Sequence, residues 1–429
     1  MTQQRRIIRA GALAGTAAIG ALVLASCSTS AGGGAGDGQS FSLAFPVSNE
    51  AKTPYEILAE QYMEENPDVE ITIDKLPGES YNTTIRTQLQ GGNASDIFLS
   101  APGNGQSFSI VPLAEAGLLE PLGETATSLI PDGSEHQFVV DGAVYGQPLN
   151  IAPAGVVVNQ TAAEAAGITE YPADWQGVLD ACETAAQAGG SYFVVAGSIP
   201  PNAGMMAQAI AATRVYAEDP DWNTQRAEGE VTFADSEGWQ QTLQAIVDMN
   251  DAGCFQPGVE GAGFDAITNG LVQGTSSAMF GPSGVARDLG EAAGGEATFV
   301  AQTFPPADAA DGAFGYASST YSYSIPASSK NKDAAKAFLE WMAEPAQAET
   351  VAEESGTLPI TGYAEMDFTG TAFEPLADML AAGDFVPLPN SDWSNPAVYD
   401  ALGAGVQGLL TGQKTVEQVL TEMDTAWGE

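Results

Sequence analysis

Phe41-Ser42-Leu43-Ala44-Phe45 is a short apolar run, and the stretch it opens, as far as Leu99, decides the fold. Thr53-Pro54 reads as a helix N-cap with proline at the first helical position. Tyr55, Leu58 and Tyr62 then recur at helical spacing, and Asn66-Pro67 ends the helix. Val69 to Ile73 alternates as a strand. Ser80 to Gln90 carries Ile85 and Leu89 on one helical face, Gly91-Gly92 stops it, and Ile97-Phe98-Leu99 is the next short strand. Strand, helix, strand, helix, strand in this order implies a parallel sheet with right-handed crossovers.

The same alternation continues. Gly155 to Val158 is an unbroken apolar run, as in a strand buried on both faces. Trp175 to Ala188, Met205 to Tyr216 and Trp239 to Asn250 read as helices. Tyr192 to Ala196, Ser276 to Phe280, Thr298 to Thr303 and Tyr321 to Ile325 read as strands. Lys332 to Met342 places Ala335, Phe338 and Met342 on one stripe, and Thr415 with Gln418 forms a capping box for a last helix. The fold class is α/β throughout, and no repeat of fixed period is present.

Composition narrows the function. The 429 residues carry 55 acidic against 13 basic side chains, a net charge of -42, and 44% are hydrophobic. That much apolar material builds cores, so this is no disordered acidic tail. So negative a chain opposes a nucleic-acid surface, whose affinity comes from Lys and Arg. The lone His136 falls in a polar stretch and reads as a surface residue, leaving little for a Ser-His-Asp site or a His-based metal site. No metal, cofactor or catalysis is expected.

Arg5, Arg6 and Arg9, then the apolar Ala10 to Ala25, form a secretory signal over residues 1–26. Leu24-Ala25-Ser26-Cys27 matches a bacterial lipobox, with Cys27 the lipidated residue. Removing three Arg would move the net charge from -42 to -45. Residues 27–40 are the lipid-anchored linker, rich in Ser, Gly and Ala. The chain is therefore expected on the extracytoplasmic face of a bacterial membrane. There, Cys182 and Cys254 would favour a disulfide over two buried thiols.

Four segments resemble the extracellular solute-binding proteins of ATP-driven sugar importers, the family that includes maltose-binding protein. They are Ser95-Asp96-Ile97-Phe98 with Leu113 to Leu122; Tyr145-Gly146-Gln147-Pro148-Leu149 with Gly155 to Asn159; Gly274 to Gly281, ending Ala278-Met279-Phe280-Gly281; and Tyr323 to Ala335 with Phe338-Leu339 and Gly356-Thr357-Leu358-Pro359. Each is weak alone, but their order is specific. The resemblance implies a two-lobed, periplasmic-binding-protein-like fold with a ligand cleft between the lobes. Lobe 1 would be 41–150 plus 318–360, and lobe 2 would be 151–317 plus 361–429. The chain would act as a monomer. It would capture a mono- or oligosaccharide and deliver it to the transmembrane subunits of an ABC permease.

A sugar needs aromatic faces and hydroxyl partners. Ligands of open α/β sheets sit at the carboxyl ends of strands, which points to Asn49, to Asn104 in the Ser100–Asn104 loop and to Asn202. Asn150 at the first crossing, Tyr316 at the second, Trp222 and Trp393 in polar stretches, and Phe280 and Ser283 near the Ala-Met motif complete the candidates. Trp222 and Trp393 read equally as core residues, and each Asn also suits a turn. Val158 stands where the family has Tyr, Ser283 where an aromatic is usual, Ser100 where the maltose-binding branch has a stacking Trp, and Ala152 where it has an acid. Maltose-type recognition therefore does not carry over. The same fold with a polyamine or another small polar solute is the alternative. An exported glycosidase and a purely adhesive protein are remoter readings.

Overall fold

The computed structural model describes residues 40–47 and 52–428, and Gly38–Glu429 form one compact unit. The leader, Cys27, the linker and Asn49 lie outside the described residues.

The chain enters one sheet through β1 (Phe41–Val47), β2 (Ile71–Pro77) and β3 (Ile97–Ser100). A small hairpin, β4 (Val139–Val140) with β5 (Ala143–Val144), precedes β6 (Gln147–Pro148). The chain then crosses into a second sheet through β7 (Asn150–Asn159), β8 (Ser191–Val194), β9 (Ser276–Pro282), β10 (Phe299–Gln302) and β11 (Gly315–Ser318). It returns for β12 (Ser322–Ser324) and crosses back for β13 (Leu358–Pro359) and β14 (Phe385–Val386). The first sheet has the order β2-β1-β3-β12-β6; the second has β14-β11-β7-β9-β8, with β10 and β13 also on β7. β1 runs parallel to both β2 and β3, as crossovers through helices require.

Local signals hold where they were clear. Thr53 caps the Pro54–Glu65 helix, accepting from the Glu56 amide at 3.2 Å. Gly92 ends the next helix at φ 67°. Lys332–Met342 is a helix, and Thr415 and Gln418 make the capping box. The central strand is longer than its apolar run, because it begins and ends on buried Asn. Asn159 closes it and caps the following helix at the Ala162 amide, 2.9 Å away. The helices Trp222–Glu228, Phe264–Val272, Val285–Ala292, Pro345–Ser355 and Ala397–Leu410 went unread in the sequence. Ala397–Leu410, rich in Gly, is held by packing on Pro200–Ala211 and Val416–Trp427 rather than by its own propensity.

Each lobe has its own core. Leu43, Phe45, Leu58, Ile85, Phe98 and Phe338 anchor lobe 1. In lobe 2 an aromatic cluster packs among aliphatic side chains such as Ile210, Leu243 and Leu402, and it takes in three of the candidate site residues. Trp222 lies edge-on to Trp239 at 5.9 Å and is 3% exposed. Trp393 is 0% exposed, against Phe233 and Trp239, and its Nε1 donates to Asn223 Oδ1. Phe280 stacks on Phe193 at 4.6 Å. All three rings gain more from burial among other rings than a cleft wall would give them.

Cys182, on the Trp175–Gln187 helix, is disulfide-bonded to Cys254, which comes just after the Glu237–Asp251 helix. The bond spans 72 residues of lobe 2, so most of its stabilisation comes from restricting the unfolded chain. Replacing both cysteines with Ala is expected to destabilise the protein by ~2–4 kcal/mol. Urea denaturation followed by tryptophan fluorescence, which reports the lobe 2 ring cluster, checks this.

Candidate functional site

Strand registers locate the site. Ser322 of β12 lies opposite Ser100 of β3, so the carboxyl end of β3 sits beside the second crossing. β1 runs parallel to β3 and ends on the same side. In lobe 2, Pro282 of β9 lies opposite Ala154 of β7, four residues past the first crossing. β8 runs parallel to β9 and ends there too. The carboxyl ends of both sheets are thus brought to the crossings, the usual place for a ligand in open α/β sheets.

The crossings are tied together by one side chain. Asn150 Oδ1 accepts from the Thr320 amide at 3.1 Å, and its Nδ2 donates to Thr357 Oγ1 at 3.2 Å. Leu358 and Pro359 of the third crossing pair with Ile151 and Asn150. The Asn150 amide is therefore engaged at the hinge. Asn202 is engaged in the same way. Its Oδ1 accepts from the Ala196 amide at 2.9 Å and its Nδ2 donates to Phe280 O at 3.4 Å, joining the ends of β8 and β9.

Two flanks bring the lobes into contact. On one, the Asn104 and Gly105 amides donate to Ser391 O at 2.6 and 3.1 Å. Only glycine allows this approach. A Cβ on Gly105 would stand 2.1 Å from Asn390 O, and one on Gly103, at φ +70°, 2.2 Å from Ser391 O. Gln137 Nε2 and His136 Nε2 both reach Asp392 Oδ1, at 2.7 and 2.9 Å. His136, read as a plain surface residue, thus touches the other lobe. On the second flank, Arg287 of lobe 2 donates to the Glu353 and Glu354 carbonyls at the end of the Pro345–Ser355 helix. That helix packs on Pro54–Glu65 of lobe 1.

Beneath the first flank lies a polar layer of lobe 2. Gln208 donates to Asn390 Oδ1 at 3.0 Å, and Asn223 Oδ1 accepts from Tyr216 Oη at 2.8 Å and Trp393 Nε1 at 3.2 Å. Gln208 Oε1, Ser283 Oγ and Tyr316 Oη are buried without a protein partner. Burial also pushes the Tyr316 phenol well above its usual range. On the second flank a cavity of about 860 Å³ opens between the lobes, with Ser283, Arg287, Glu349 and Thr357 among its walls. Its size suits a small-molecule ligand. A groove of about 990 Å³ lies on lobe 2 alone, lined by Arg214, Gln240 and Glu417, and it does not touch the crossings.

Tyr399 went unnoticed in the sequence. It is half-buried, and its hydroxyl donates to Pro201 O at 2.7 Å, just past the end of β8. Its only local mark is an aromatic at the start of an unread helix. Tyr321, half-buried at the second crossing, is a second available ring.

Residues 47–349 match the family model of the bacterial extracellular solute-binding proteins. The chain belongs to that family. Binding proteins of Brucella abortus (strain 2308) and Brucella suis biovar 1 (strain 1330) are each 24% identical to it over 385 residues, covering 87% of this chain and 89% of theirs. Its fold is similar to that of a chitin oligosaccharide binding protein (TM-score 0.73, 20% identity, 90% of this chain and 98% of that one). It is likewise similar to RafE in complex with raffinose (TM-score 0.71, 17% identity, 90% and 98%). The GacH receptor of Streptomyces glaucescens gives a TM-score of 0.69 at 20% identity, over 91% and 97%. Among the described residues no helix of this solute-binding protein is long and apolar enough to cross a membrane.

Gly105→Ala is expected to keep this solute-binding protein folded and to separate its lobes on the first flank. A larger radius of gyration by X-ray scattering, with unchanged circular dichroism, is the expected result.

Proposed function

We propose that this protein is the substrate-binding component of an ABC importer, taking a mono- or oligosaccharide between its lobes and presenting the closed form to the membrane permease. The observation that carries the reading is the meeting of both sheets' carboxyl ends at the crossings between the lobes. Contacts made to both lobes at once exist only when they close, so the solute shifts the open-closed balance by its differential affinity. Three solved neighbours are named for a chitin oligosaccharide, raffinose and acarbose, which supports a saccharide here. The chain needs no catalytic group for this task. It would act as a monomer, held to the outer face of the membrane by lipid on Cys27.

Tyr399 and Tyr321 are the rings placed to stack on a sugar. Gln208, Ser283, Asn104 and the Tyr316 hydroxyl are its polar partners. A buried polar atom without a partner costs ~1–3 kcal/mol, which a ligand hydroxyl would recover. This assigns the stacking role away from Trp222, Phe280 and Trp393. Asn49, outside the described residues, keeps its place among the candidates.

A thermal-shift screen of residues 38–429 against saccharides, polyamines and amino acids tests the assignment. A true ligand at 100 times its Kd adds ~2.7 kcal/mol to stability. A rise with one saccharide class supports the reading, whereas a rise with polyamines alone overturns it. With the ligand in hand, Tyr399→Ala should weaken binding about tenfold, whereas Tyr399→Phe, which keeps the ring, should bind nearly as the parent does. Trp393→Ala should instead cost ~3–5 kcal/mol of stability.

A further inference from the structure

The protein's only histidine stands at the point where the lobes touch. His136 belongs to lobe 1, and Asp392 to the segment that covers the lobe 2 ring cluster. The Asp392 carboxylate is 13% exposed and offers one oxygen, Oδ1, to two donors from lobe 1, Gln137 Nε2 and His136 Nε2. Gln137 is itself buried, and its carbonyl accepts from the Gly103 amide at 3.0 Å. The imidazole pair, the glutamine and the Gly103–Gly105 loop therefore form one continuous lobe 1 surface against Asn390–Asp392. The His136 ring is itself 54% exposed, so parting of the lobes returns mainly Asp392 to water and ends their attraction.

We propose that His136 and Asp392 form a proton-dependent latch that favours the closed arrangement of the lobes at acid pH and releases it as the imidazole loses its charge. The groups around the imidazole act in one direction. The Asp392 hydrogen bond and charge favour the cation, as do the Glu135 carboxylate and the Gly133 carbonyl; burial alone opposes it. The imidazole is accordingly held above its ordinary value of 6.5. No cation faces it among the ion pairs of the described residues; behind Asp392 lies the uncharged Tyr216 phenol. Linkage sets the sign. With the closed-state value above the open-state one, the latch is fully present below the open-state value. It fades as pH rises through the closed-state value. Gln137 keeps its hydrogen bond at every pH, so closure weakens on deprotonation without being abolished.

The latch makes the hold on a solute depend on the acidity outside the cell. It rests on the closing-lobe reading and not on the solute's being a saccharide, and its test uses no ligand. Because the chain has one histidine, its imidazole resonances are unambiguous in an NMR titration of residues 38–429. His136 should titrate about half a pH unit higher in the parent protein than in Asp392→Asn, the scale of a half-exposed pair. The radius of gyration by X-ray scattering should rise between pH 5.5 and 8 in the parent protein. It should stay flat in Asp392→Asn and His136→Gln. His136→Lys, a permanent cation, should hold the compact value across the range. An imidazole titrating alike with and without Asp392, or a compaction that persists in both neutral variants, overturns the latch. Circular dichroism of each variant confirms that the fold is retained. Failure of the sugar screen with a positive titration would overturn the ligand class alone.

Discussion

One amide side chain joins every path between the lobes. Asn150 begins the central strand of lobe 2 at the first crossing and bonds to Thr320 at the second and Thr357 at the third. A buried primary amide left unpaired is expensive, so the three segments are held in mutual register wherever the lobes stand. Their backbones then bend together instead of shearing apart, as closure of a hinged pair requires. The β7 strand that starts there is buried along its whole length and pairs with β9, β10, β11 and β13, so the hinge is anchored in the central strand of the second sheet.

What the lobes do about that hinge is governed by their edges. On one side, backbone meets backbone at Gly103–Gly105 and Ser391, while a nearly buried carboxylate meets lobe 1 donors. On the other, Arg287 donates to the Glu353 and Glu354 carbonyls at the end of a lobe 1 helix, the first of which also accepts from the Gly356 amide. Basic residues are scarce in this chain, at 13 against 55 acids, so the placement of a single cation carries more weight than usual. Direct contact at Ser391 closes the first flank over Gln208 and the Asn104 loop in this arrangement, and open volume lies on the Ser283 flank.

The lobe 2 core explains why aromatic count is a poor guide to the site. Trp222, Phe233, Trp239 and Trp393 touch one another ring to ring, close to the cleft wall but beneath it. Trp393 is surrounded in sequence by Asn, Ser, Asp and Pro, the composition of an exposed binding loop. Ser391 and Asp392 instead meet lobe 1, Asn390 and Asn395 bond within lobe 2, and the ring nitrogen is satisfied from within by Asn223. The loop carries the contact and the tryptophan holds the loop.

The amino-acid sequence by itself determined the alternation of strand and helix, the parallel first sheet and the family. These rest on local spacing, caps and ordered motifs, which act over a few residues at a time. It also brought Ser283, Tyr316 and the Asn104 loop to notice, since strand ends are legible as the ends of apolar runs. Only the tertiary structure decided which of these side chains have partners within the protein. Asn150 and Asn202 looked available because an amide suits a sugar hydroxyl, yet their partners lie 170 and 78 residues away or more locally in the β8 turn. His136 and Asp392 lie 255 or more residues apart on featureless polar stretches, and nothing near either one announces the other. Hydrogen bonds and ring contacts over such separations are set when the sheets fold back to their crossings. They leave no periodicity along the chain to read.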